Sequence, residues 1–144
     1  MIRGKMRICV IDGQGGGIGA ALIKRLKEVY GEEHEVIALG TNAVATAQMM
    51  KARANRGASG ENAICRTVTQ VDVILGCLSI VLANSMMGEL TPKMAAAIAS
   101  AAAPKILLPL TQEKVEIVGL SPEPLPHLVE KIVSHRLKEI LSHV

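Results

Sequence analysis

The chain has 144 residues, 49% hydrophobic and 20% charged, with a net charge of +3. That is one domain's worth of chain with enough apolar residues for its own core, which excludes a disordered chain or a basic nucleic-acid arm. One Tyr, no Phe and no Trp leave little to stack on a base or a flavin ring, which speaks against nucleic acid as partner and FMN as cofactor.

Residues 7–12 (R-I-C-V-I-D) form a short β-branched run ending in Asp and then glycines, the pattern of a buried parallel strand. The glycine loop of residues 13–19 follows. Leu22, Ile23, Leu26 and Val29 then recur at helical spacing. Residues 35–40 read as the second strand, and Thr41-Asn42 offers a cap to the helix of A-V-A-T-A-Q-M-M-K-A-R-A. A polar stretch, A-N-R-G-A-S-G-E-N, leads to a short helix over 61–68 with Ser59 as its cap. Residues 71–77 are a further buried strand. Thr91-Pro92 opens an alanine-rich helix that stops before Pro104. Residues 105–110 and 115–120, joined by T-Q-E-K, predict an antiparallel hairpin, because four residues cannot make a parallel crossover. A last helix carries Leu128, Val129, Ile132, Val133, Leu137, Ile140 and Leu141 on one stripe.

Strands alternating with helices predict a single α/β domain over residues 1–144. It is a Rossmann-like three-layer arrangement with a mostly parallel sheet of about five strands and an antiparallel edge hairpin. Cys9, Cys65 and Cys77 form no CxxC pair, and an odd count fits the reduced thiols of a cytoplasmic protein. The start M-I-R-G-K-M-R has no apolar stretch of a signal peptide, and no apolar run reaches the ~18 residues of a membrane span.

The most informative run is D-G-Q-G-G-G-I-G. Asp12, Gly13, Gly15, Gly16, Gly17, Ile18 and Gly19 follow a strand and open a helix, where glycines permit close backbone approach and free amides bind a phosphate. The Gly13-x-x-x-Gly17-Ile18-Gly19 spacing resembles the loop of short-chain dehydrogenases and reductases, which implies NAD or NADP as a cofactor. The resemblance stops at the loop. That family uses a Tyr with a Lys four residues later, whereas the single Tyr30 is followed at that spacing by His34. The acid expected to hold an NAD ribose about 20 residues after the fingerprint is also missing. Leu39, Gly40, Thr41 and Asn42 stand there instead, with Thr41 and Asn42 able to hydrogen-bond a ribose or phosphate.

Over the whole chain, I-D-G-Q-G-G-G-I-G, A-L-G-T-N-A, A-N-R-G-A-S-G-E-N-A-I, A-N-S-M-M-G-E-L-T-P, I-L-L-P-L and E-P-L-P-H-L resemble a small bacterial family catalogued as a domain of unknown function. The resemblance implies a Rossmann-like fold and no particular reaction.

Other residues complete the candidate site. The polar stretch is long enough, roughly 23 Å when extended, to climb to the carboxyl edge and present Ser59, Glu61 and Asn62 near the glycine loop. There a second helix N-terminus would face the first. Asn84 and Ser85 lie beyond the third apolar strand, on the same rim. Glu61 and His127 are the candidate catalytic groups, although the expected hairpin returns the chain to the amino edge before His127. No metal is expected: His135 and His143 are about 12 Å apart along one helix. The leading expectation is a nucleotide- or phosphate-ligand-binding module with a regulatory role, acting as a homo-oligomer. The alternatives are a small NAD(P)-dependent oxidoreductase, or other nucleotide-using enzyme, completed across a homodimer, and a structural protein without a ligand.

Overall fold

A computed structural model describes residues 4–142; His143 lies outside this range. Five strands form one sheet in the order β3-β2-β1-β4-β5: β1 (Arg7–Asp12), β2 (Glu35–Gly40), β3 (Arg56–Ser59), β4 (Val73–Cys77) and β5 (Lys105–Leu108). Every pair is parallel, with Val10 opposite Ala38 on one side and Leu75 on the other. β1 and β4 lie in the middle and are covered on both faces, which is why they read as unbroken apolar runs.

Helices α1 (Gly17–Tyr30), α2 (Ala43–Lys51), α3 (Glu61–Thr67) and α4 (Pro92–Ser100) make the crossovers. Right-handed connections send α1 and α2 to one face and α3 and α4 to the other. Two caps match their sequence signals: Asn42 accepts from the Ala45 amide at 2.8 Å, and Thr91 from the Met94 amide at 3.1 Å. The expected Ser59 cap is corrected: Gly60 stands at the N-cap of α3 with no side-chain cap, because Ser59 still belongs to β3. The chain ends in α5 (Leu125–Glu130), a π-helical turn (Lys131–Arg136) and α6 (Leu137–Ser142), one continuous helix against α1. Arg25 pairs with Glu130 at 2.7 Å, and the Tyr30 hydroxyl donates to the Val133 carbonyl at 2.6 Å, fixing the two helices side by side.

Two further expectations are corrected. The antiparallel hairpin is absent from the described residues, because 115–120 forms no strand. The chain leaves the sheet at Pro109, which has no amide to donate, and the Leu110 amide turns back onto the Leu108 carbonyl. Val115, Ile117, Val118 and Leu120 then stay exposed, so the alternation of V-E-I-V has no buried face to satisfy. In turn, R-G-A-S, taken as part of a polar connection, is the edge strand β3, its backbone paired with residues 37–40 of β2.

Candidate functional site

The sheet order reverses between β1 and β4, because β1 leads through α1 to β2 on one side while β4 leads through α4 to β5 on the other. Such a reversal opens a crevice at the carboxyl ends of the strands. A cleft of about 570 Å³ lies there. Asp12, Gln14 and Ile18 line it from the glycine loop, Cys77 and Ser79 from the end of β4, Asn84, Met86 and Met87 from the loop before α4, and 110–113 from the segment after β5.

The five glycines of the loop divide into two sets. Gly13, Gly16 and Gly19 are required by the protein's own packing. A Cβ at Gly16 would sit 2.7 Å from the Ala45 carbonyl oxygen, and its φ of +75° disfavours any side chain. At Gly13 a Cβ would meet Met86 and Thr41, and at Gly19 it would meet Met49 and Asp12. Gly15 and Gly17 are different. A Cβ at either meets nothing within 4 Å, and both residues are exposed. Their amides donate to no other described residue.

Asp12 is buried beneath this loop. Its carboxylate accepts from the Gly13 amide at 2.8 Å and the Gly19 amide at 2.7 Å, joining the end of β1 to the first turn of α1. Burial pushes its pKa up, while the amides of Gly19 and Gly13 pull it back. Asp12 thus holds the loop's shape from inside.

Glu89, which the sequence reading passed over, lies against the other side of the loop. Its Oε1 accepts from the Gln14 amide at 2.8 Å, the Thr41 hydroxyl at 2.6 Å and the Asn42 side-chain amide at 2.8 Å. The hydrogen bond from Thr41 leads the influences that lower its pKa, so it is ionised at neutral pH. Thr41 and Asn42 therefore serve an internal carboxylate. Glu89 reaches them because its loop folds over Gly13 through a tight run of left-handed residues: Asn84, Met86, Met87 and Gly88 all have φ between +57° and +88°. Three of these are not glycine, each costing about 1–3 kcal/mol that the surrounding contacts must offset. One sequence signal was available: an acid two residues before the Thr91-Pro92 cap, in the loop already assigned to this rim.

The remaining candidates scatter. Ser59 does reach the carboxyl edge, in register with Gly40, but its hydroxyl bonds Thr46 Oγ1 at 2.7 Å. Glu61 accepts from the Thr91 hydroxyl at 2.6 Å, turning the start of α3 toward α4. Neither these residues nor Asn62 line the cleft. Ser85 is fully buried and donates to the Ser79 carbonyl at 2.6 Å, bracing the turn after β4. Asn84 does line the cleft. Without a hairpin the chain stays near the carboxyl edge after β5: Leu128, in the first turns of α5, shares a smaller hollow with Leu78 and Pro109. His127 is exposed beside it and does not line the cleft. The Cys77 thiol, at the cleft wall, is pushed up by burial and so is poorly ionised at neutral pH.

No curated protein matches the chain. The chain belongs to the family described as Domain of unknown function (DUF3842), whose model matches residues 7–141.

Proposed function

We propose that the chain is a binding module for a nucleotide or another phosphate-bearing ligand, held by the exposed glycine loop beside the cleft between β1 and β4. One observation carries the reading: Gly15 and Gly17 have no packing or backbone need to be glycine, yet they bear amides that donate to no acceptor among the described residues at the start of α1. A phosphate approaching a helix N-terminus uses such amides and needs such space. The purely structural reading accounts for Gly13, Gly16 and Gly19 and leaves these two unexplained. A binding or regulatory role is favoured over an enzyme, because Asp12 is committed to two loop amides, Cys77 is held as a thiol, and Glu61 and His127 lie away from the cleft. If the ligand is NAD or NADP, Gly15 and Gly17 hold a phosphate, and the nicotinamide supplies hydride chemistry only with a substrate of its own.

The test is a thermal-shift screen against NAD, NADP, ATP, GTP, coenzyme A and S-adenosylmethionine. A ligand at ~100 times its Kd adds about 2.7 kcal/mol to stability. The ligand that shifts the parent protein should leave Gly17→Val unshifted. A screen in which nothing shifts the parent, or in which Gly17→Val binds as well as the parent, removes the reading.

The same reading includes a homo-oligomer in the cytoplasm. Three free cysteines suit a reducing compartment. No helix among the described residues is long and apolar enough to cross a membrane. Met87 and Val118, both 95% exposed, stand with Ile117 and Leu120 as uncovered apolar groups on the loops around the carboxyl edge, a surface suited to a second copy. Light scattering at high micromolar concentration should report twice the 15.2 kDa of one chain or more. A particle of one chain's mass would exclude the oligomer.

A further inference from the structure

We infer that Glu89 recognises the free hydroxyls of a ribose, so that the site takes a dinucleotide with an unmodified 2′-OH and rejects its 2′-phosphorylated counterpart. The inference rests on the nucleotide reading and specifies its ligand class. In a dinucleotide-binding sheet the ribose is held by an acid at the end of the second strand. Here that position in the sequence is Thr41-Asn42, which carries no acid. The fold delivers one from elsewhere. Glu89, 48 residues beyond Thr41, is held at the end of β2 by Thr41 and Asn42 and touches the first turn of the glycine loop through the Gln14 amide.

All three of those bonds end on Oε1. Oε2 accepts from no described residue, so the carboxylate is oriented by one oxygen and offers the other. It is also ionised, by virtue of those bonds. An ionised carboxylate accepts from a hydroxyl and repels a phosphate monoester placed on the same carbon. Glu89 stands beside the glycine loop and outside the cleft lining, whose own charged residues, Asp12 and Glu113, are likewise acids. A ligand bearing a single charge on each phosphate and donor groups at its ends suits such walls better than a nucleoside triphosphate does. The four left-handed residues that precede Glu89 turn the loop after β4 back toward β2.

The experiment measures Kd for NAD and NADP by calorimetry with the parent, Glu89→Gln and Gly17→Val proteins. Gln keeps an acceptor oxygen for Gln14, Thr41 and Asn42, so the loop is retained while the charge is lost. The parent should bind NAD at least about tenfold more tightly than NADP, and Glu89→Gln should bring the two within about threefold. A role confined to holding the loop would weaken both ligands together and leave their ratio alone. An unchanged ratio in Glu89→Gln, with Gly17→Val still losing both ligands, overturns the assignment of Glu89 and leaves the phosphate site standing. Parent protein that prefers NADP also overturns it. Failure of the parent to bind either dinucleotide, with another phosphate compound bound in a Gly17-dependent way, overturns the ribose assignment alone. Failure to bind any phosphate compound overturns both.

Discussion

Valine at position 16 is expected to cost on the order of 3 kcal/mol of folding stability, while valine at position 17 should change it by less than about 0.5 kcal/mol. The two residues are adjacent in a run of three glycines, and the same side chain is added at each. At Gly16 it meets the backbone of α2, 2.7 Å from the Ala45 oxygen and 2.8 Å from its Cα, and backbone cannot swing aside as a side chain can. The φ of +75° adds its own penalty, larger for a β-branched residue. At Gly17 the new atoms enter open space at the first position of a helix. Urea midpoints for the two variants measure the difference directly. Equal midpoints would mean that α2 shifts outward at little cost, and that the close approach of α1 and α2 is not a constraint on the loop.

Asp12→Ala is expected to destabilise the protein by about 2 kcal/mol at neutral pH. Each of the Gly13 and Gly19 amides loses a buried acceptor, at about 1–3 kcal/mol apiece. Relief of a buried charge returns part of that, because burial holds the Asp12 pKa above its ordinary 3.8. The sign of that shift sets a pH signature. The native state takes up the Asp12 proton before the unfolded state does, so this group's contribution is largest below 3.8 and is lost as pH rises through the elevated native value. The difference in stability between the parent and Asp12→Ala should therefore be greater in acid than at pH 7. Chemical denaturation at several pH values checks it; a difference that shrinks on acidification would show that the amides, not burial, dominate the carboxyl group.

The parts of the fold that were legible share one property: their side-chain pattern reports their environment. β1 and β4 are buried on both faces and read as apolar runs, and α2 and α4 announce themselves with Asn42 and Thr91-Pro92. β3 was missed because R-G-A-S is an edge strand with mostly exposed residues, held by its backbone to β2 and not by its side chains. Residues 115–120 erred in the other direction, since β-branched alternation marks a strand only where a sheet edge and a covering layer receive it. At the site, the glycine loop was legible from its place between a strand and a helix. Glu89 was not, because its position depends on Met86 and Met87 adopting left-handed backbone, a conformation that neither residue type signals. The separation of five glycines into three that pack and two that do not is likewise a property of neighbours distant in sequence, among them Ala45, Met49 and Met86.

The all-parallel sheet also governs how the chain finds its fold. With no hairpin among the described residues, no two strands meet through a tight turn, and each pairing must first enclose a whole crossover. Arg7 meets Glu35 across 28 positions (35 − 7), whereas Ile8 meets Val73 across 65 (73 − 8). Loop closure penalises the longer span, and local contacts form first. Ile37 meets Arg56 across only 19 (56 − 37), so β1–α1–β2–α2–β3 is the natural nucleus. The glycine loop and its Asp12 anchor are complete within that nucleus, whereas the cleft wall from β4 and the Glu89 loop arrive only when the far half docks. The glycine loop is assembled early in the life of the molecule, and Glu89 and the opposite wall of the cleft are assembled late.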